Sequence, residues 1–260
     1  MSATSELRRT LRLSLELCRR NITARYRSSY LGYVWLLLTP VAMAGAWVFL
    51  RRTGTVKLAA VGVSYPLYVA TGMFLWQGFN RMVQSPLQQF SASRHLLGKY
   101  RFAWEAIVLA AWGEALFEFV VGIAVLVVVL AATASLSGVG LLVAIPWAAL
   151  LLAFGGAVGL LVTPIGLLYD DIGRILALGL SLMFFLVPIV YPVATSGAAR
   201  AAIIANPAAV FLVDARDAML TGHTAFAEWG GIHAALTLVL LVAAFAFLRA
   251  ARPHLAARAG

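Results

Sequence analysis

The chain has 260 residues, 62% of them hydrophobic, with a net charge of +10 and a mean hydropathy of +0.91. Soluble domains run at roughly 45–50% apolar residues; the apolar runs here are too long for core helices, which excludes an ordinary soluble domain and implies several membrane crossings. Alternating stretches of about 10 residues are missing, which excludes a barrel, and the arginines flank apolar runs instead of forming a soluble patch, which argues against nucleic acid as a partner.

Residues 5–27 read as an amphipathic interface helix. Leu7, Leu11, Leu15, Cys18 and Ile22 recur at helical steps, with Arg8, Arg12 and Arg19 on the other side. Such a basic helix is attracted to anionic membrane lipid and lies in the headgroup layer. Cys18 is the only cysteine, so no intrachain disulfide framework or multi-cysteine metal site is expected. The helix runs directly into span 1 at 31–50, closed by Arg51, Arg52 and Lys57. Span 2 follows at 64–83, and the polar stretch 84–103 reads as a cytoplasmic coupling segment suited to docking. Span 3 at 104–131 carries Glu114 and Glu118 four residues apart on one face. Counting from residue 104 puts these intramembrane acids about 15–21 Å into the span. A carboxylate in lipid costs on the order of 3 kcal/mol, so their face should meet a basic partner on a neighbouring span, or a wet cavity. Span 4 at 141–168 contains Gly155 and Gly159, a spacing that permits close helix contact. After the polar break 169–174, span 5 covers 175–192. Segment 195–228 is too apolar for an ordinary outer loop and is broken by Pro207. It reads as an outer re-entrant helical hairpin, with a pair of surface helices as the alternative. Span 6 covers 230–248.

The fold class is therefore an all-α membrane protein with a single transmembrane domain: an interface helix, six transmembrane helices and an outer-leaflet hairpin between spans 5 and 6. Six spans put both termini on one side. Fifteen of the 20 Lys and Arg residues then share that side and five the other, and the positive-inside rule makes the richer side cytoplasmic. Few ionisable residues lie within the spans, which argues against an ion-driven carrier. No Gly-x-x-x-x-Gly-Lys-Ser/Thr loop occurs, because Gly98-Lys99 is followed by Tyr100. The histidines, His95, His223, His233 and His254, do not cluster in the sequence. Neither a catalytic nor a metal site is expected.

The join Arg25-Tyr26-Arg27-Ser28-Ser29-Tyr30-Leu31-Gly32-Tyr33-Val34-Trp35, with Pro40, resembles the start of the first span in the polysaccharide-exporting permeases of the ABC-2 transporter class. These are the membrane subunits for O-antigen, capsule and teichoic acid export. Leu96-Leu97-Gly98-Lys99-Tyr100-Arg101-Phe102-Ala103-Trp104-Glu105 is similar to the family's Leu-Ile-x-Lys-x-x-Phe-Pro-x-Glu, with Ala103 at the usual proline. Tyr169-Asp170-Asp171-Ile172 resembles its Tyr-Arg-Asp-Val, with Asp170 at the usual arginine, so a phosphate or carboxylate contact made there in the family does not carry over. Pro188-Ile189-Val190-Tyr191-Pro192, Asn206-Pro207 and Arg216 match the region around span 5 and the outer hairpin. The motifs follow in order along nearly the whole chain.

The resemblance implies a permease subunit of an ATP-driven exporter in the bacterial inner membrane, working as a homodimer. It implies two cytoplasmic ABC ATPase subunits that bind ATP and magnesium, and a glycan linked to polyprenyl diphosphate as cargo. Arg94, Leu96, Leu97, Lys99 and Arg101, with Asp170 and Asp171, become the expected ATPase-coupling residues. Arg25, Tyr26, Arg27, Ser29 and Gly32 become the interface helix and gate, and Asn206, Pro207 and Arg216 the outer hairpin. Aromatic rings stack on apolar sugar faces without fixing register, which makes Tyr33, Trp35, Trp76, Phe79, Phe184, Phe185 and Tyr191 candidates for a glycan path. An ABC-2 permease for a drug or simple lipid, and an integral-membrane transferase, stand as alternatives.

Overall fold

The computed structural model describes residues 3–27, 30, 32–56, 61–93 and 104–259, with the side chains at 3, 4, 26, 254 and 256–259 outside that description. Among the described residues the regular structure is entirely helical. In chain order the helices are α1 (Ala3–Arg27), α2 (Val34–Arg52), α3 (Tyr65–Ala92), α4 (Trp104–Ala132), α5 (Gly138–Leu168), α6 (Asp171–Leu186), α7 (Gly197–Ile204), α8 (Pro207–Thr221) and α9 (Ala227–Ala259).

Four of these helices, α2, α4, α5 and α9 up to Pro253, are long and apolar enough to cross a membrane; the α7–α8 pair, bent by 94°, makes a fifth if it is one broken span. The helices expected as spans 2 and 5 fall short of that measure for different reasons. α3 carries Gln77, Asn80, Arg81 and Gln84, but most of its faces meet protein, so it needs little lipid-facing apolar surface. α6 has 16 residues, about 24 Å of rise. It stops at Leu186 rather than reaching 192 because Val187 precedes Pro188 and is held extended, at φ −89° and ψ 131°. The expected coupling segment 84–103 also divides. Its first residues continue α3 to Ala92, and 94–103 lie outside the described residues.

Two ends of the bundle are recognisable. At one, the Arg51 guanidinium sits 4.1 Å from the Tyr65 ring centroid. There too the Ser137 N–H donates to the Met219 carbonyl at 3.0 Å. The Tyr65 and Tyr68 hydroxyls donate to the Val190 and Tyr191 carbonyls at 3.0 and 2.9 Å. At the other end Arg249 meets Glu105 at 3.5 Å and Gly173 lies beside Leu87. Successive long helices therefore alternate in direction, and α9 returns its last turns to the end where α4 begins.

The core is built from α3, α5 and α8. Val69, Leu75, Phe79 and Val83 on α3, Leu151 on α5 and Val210 to Val213 on α8 are all buried. α5 reaches this core through glycines. A Cβ on Gly159 would overlap the Val83 carbonyl oxygen, and one on Gly140 the Ala218 carbonyl oxygen. The Gly155–Gly159 spacing thus joins α5 to α3 within one chain. Caps fix the helix starts nearby: Ser137 accepts from the Gly140 N–H at 3.2 Å, and Asn206 accepts from the Ala208 N–H at 3.1 Å with Pro207 opening α8. By contrast, α2 buries only Pro40 and Ala44, and α6 only Leu180.

Candidate functional site

The strongest polar constellation joins three helices. Glu114 of α4 is buried and accepts from the Asn21 amide at 2.7 Å and from the Arg25 guanidinium at 3.3 Å, both on α1. Glu118 accepts from Arg25 and, through its second oxygen, from Arg81 Nε of α3 at 2.6 Å. Two carboxylates and two guanidiniums leave the knot with no net charge. Arg81 and Glu118 also form one wall of a crevice of about 170 Å³ between α2, α3 and α4, where Trp35, Leu36, Thr39 and Gln77 meet them.

The knot fixes how α1 sits. Cys18 lies beside Gly113, Asn21 reaches Glu114 and Arg25 reaches Glu118, so the two helices advance together. Ser14 and Leu17 are buried on that side, while Leu7, Leu11 and Leu15 stay 60%, 45% and 70% exposed. The first three members of the apolar stripe, Leu7, Leu11 and Leu15, are thus off the face that packs on protein, while Cys18, its fourth, lies on it. Burial, and then the negative charge of Glu114, push the Cys18 thiol above its ordinary pKa.

The level of the knot follows from α2. The Tyr33 ring lies 6.1 Å from that of Phe117, so α2 starts beside Glu118. α2 has 19 residues, about 28 Å, which barely covers a hydrocarbon core about 30 Å thick. If α2 crosses, its first turn lies at a boundary, and Glu118 with it. On that condition the first turns of α4 extend beyond the apolar layer, and the acids lie nearer its edge than the count from residue 104 puts them.

The remaining candidate residues distribute unevenly. Of the gate residues, Arg25 joins the knot, Arg27 is exposed and Gly32 takes φ +49° at the turn into α2. Tyr26 is helical, and Ser29 lies outside the described residues. Arg94, Leu96, Leu97, Lys99 and Arg101 lie outside them as well. Asp170 and Asp171 open α6; Asp171 pairs with Arg174 at 3.3 Å in an exposed contact that is worth little. Five of the seven aromatic candidates form one row. Trp76 meets Phe79 at 5.3 Å and Phe184 at 6.0 Å, Phe184 meets Phe185 at 5.3 Å, and the Tyr191 hydroxyl donates to the Phe185 carbonyl at 2.9 Å. Phe79 and Trp76 are core side chains at 1% and 6% exposure, so their ring faces are covered in this conformation. Tyr33 and Trp35 stand apart at the start of α2, half exposed.

Sequence reasoning did not single out Asn21, Arg81 or Asp214. Arg81 carried a signal, a lone cation near the end of an expected span; Asn21 and Asp214 carried none that local spacing reveals. Asn206 and Pro207 start α8, and Arg216 is fully buried within it. Among the described residues no three of histidine, cysteine, aspartate and glutamate converge as a metal site.

No family model matches the chain. Curated relatives do. An O-antigen export system permease protein RfbA of Myxococcus xanthus is 28% identical over 248 residues, 94% of each chain. Two proteins of the same name from Klebsiella pneumoniae are 28% identical over 207 residues and 26% over 175, covering 78% and 66% of each chain. By these matches the chain is similar to O-antigen export permeases, in line with the family that its ordered motifs resemble.

Proposed function

We propose that this chain is the membrane-spanning permease subunit of an ATP-driven exporter that moves a polysaccharide, carried on polyprenyl diphosphate, across the inner membrane. The observation that carries the reading is the similarity to O-antigen export permeases over up to 94% of the chain. Two copies form the path, and two separate ABC ATPase subunits bind ATP and magnesium and drive it. The bare faces of α2 and α6 support a second copy as their cover: α6 exposes Ile175, Leu178, Leu182, Phe185 and Leu186 in a helical row beside the aromatic series. α3 and α6 count among six crossings, and α7–α8 re-enter from the outer side, so both termini are cytoplasmic. Segment 94–101, with Asp170 and Asp171, docks the ATPase.

A permease for a simple lipid is the second reading. An apolar cleft of about 620 Å³ between α4 and α5, walled by Trp112, Leu116, Val120, Ile145 and Leu152, favours it. Deletion and complementation in the producing organism separate the two, because only a glycan exporter depletes surface polysaccharide when removed. Copurification should bring down a Walker-motif ATPase. Alkaline phosphatase fusions after Gly138 and Ser196 should be active and those after Leu97 and at Gly260 inactive; an active fusion at Leu97 overturns the six-crossing topology.

A further inference from the structure

Two charged side chains of α8 are fully buried, Asp214 and Arg216. Charges kept inside a membrane protein mark function by default, and here both hold loop backbone. The Asp214 carboxylate accepts from the Ala225 and Phe226 N–H groups at 2.7 and 2.9 Å. Arg216 donates through Nη1 to the Pro188 carbonyl at 2.6 Å and through Nε to Asp217 at 3.0 Å, and it lies 3.8 Å from the Tyr68 ring centroid. The Tyr65 and Tyr68 hydroxyls hold the Val190 and Tyr191 carbonyls of that same loop. The segments 187–191 and 225–226 are thus pinned from beneath. Above them, closed by residues 61–63, is a concavity of about 390 Å³.

Its lining is mixed. Asp217, Thr221, His223 and Thr224 supply a carboxylate, two hydroxyls and an imidazole, while Val61 and Val193 supply apolar surface. Sugars present the matching pair of features: hydroxyls around the ring edge and apolar C–H patches on its faces. The volume falls in the ordinary range of small-molecule sites, roughly 300–1,000 Å³. Arg216 is buried, with Nε on Asp217, Nη1 on the Pro188 carbonyl and Nη2 without a hydrogen-bond partner among the described residues, and the more exposed member of the pair is the carboxylate.

We propose that this pocket is an exit-side saccharide subsite, holding one or two hydroxyl-rich sugar units of the polymer as it leaves. The proposal rests on the glycan-export reading. A weak hold at the far end resists backsliding between power strokes, which a path of stacked rings alone does not do.

The test uses the intact permease–ATPase complex in lipid nanodiscs. The probe is polysaccharide released by mild acid from the producing cells, observed by saturation-transfer NMR. Wild type should transfer saturation to the sugar. Thr224→Trp, which fills the pocket, should abolish the transfer, and Thr224→Val should weaken it several-fold. Ser135→Trp, on a neighbouring outer turn, should leave it unchanged, with thermal unfolding alike in all. Surface polymer in cells should fall in the same order. Equal transfer in wild type and an assembled Thr224→Trp complex overturns the subsite, as does displacement of the sugar by inorganic phosphate. If deleting the gene depletes surface polysaccharide while both Thr224 variants bind and export normally, the subsite fails and the exporter stands. If deletion leaves surface polysaccharide intact, the exporter reading itself fails.

Discussion

α8 and α2 invert what their sequences suggest. α2 is the more apolar of the two yet buries two residues; α8 carries Asp214, Arg216 and Asp217 and buries twelve of its fifteen. α3 sides with α8, and α6 with α2. In water, apolarity predicts burial. In a bilayer the lipid is as apolar as leucine, so apolarity marks contact with lipid or with a second membrane chain, and interior helices are free to be polar or small. The α3–α5–α8 group is joined backbone to backbone, whereas α6 touches it lightly and α2 packs on α3 by one face, and both keep their outer faces bare. Motion between transport states is therefore expected at α2 and α6.

The largest effect should come from adding bulk to the joined group. Gly159→Leu drives a side chain into the Val83 backbone and should cost about 3 kcal/mol, the upper end of the usual overpacking range, read as loss of folded protein or a steep fall in Tm in detergent. The matched change on α6, Gly179→Ala, meets nothing within 4 Å and should be neutral or stabilising by up to about 1 kcal/mol. If both variants behave alike, the contrast between the two groups is wrong.

Next is the knot. Glu118→Leu leaves Arg25 and Arg81 without their shared acceptor and should lower stability by about 2 kcal/mol, measured by thermal unfolding. Glu118→Gln should lose less. A leucine variant more stable than wild type would mean that α1 is not held by this contact.

The bare face of α6 gives a smaller energetic effect and a sharper geometric one. Leu182→Ala should change the unfolding of one chain by less than about 0.5 kcal/mol. In a Cys18→Ser background, Leu178→Cys should crosslink two copies on mild oxidation. No crosslink at 175, 178, 182 or 185 in an assembled complex removes α6 from the seam.

The smallest effect concerns Cys18. Because burial and the Glu114 charge hold its thiol pKa up, Glu114→Gln removes the second cause and lowers that pKa. More thiolate is then present near pH 8, and alkylation by a small maleimide should speed up a few-fold. An unchanged rate would separate α1 from α4 in solution.

The long helices and their alternation were legible because hydropathy runs and punctuating prolines are local. Hydropathy over-extended span 5, although Pro188 was visible and marks the stop at Val187. The pairing of Glu118 was legible as a requirement, since a carboxylate there needs a partner, but not as an identity. Arg25 and Arg81 lie 93 and 37 residues away, and no local pattern reports a contact of that range. Asp214 and Arg216 were illegible as backbone clamps for the same reason. The leucine stripe of α1 was read correctly as apolar, but which neighbouring sector meets protein depends on where α4 lies.

The order in which the knot's members are made has its own consequence. Arg25 and Arg81 are synthesised well before Glu114 and Glu118, so for a time the nascent chain holds two cations without these counter-ions. α4 arrives afterwards with both acids. Only then does α1 gain its seat and the knot become neutral. Docking of the first helix thus reports insertion of a later one. A chain stalled before residue 114 lacks the two carboxylates that seat its basic first helix.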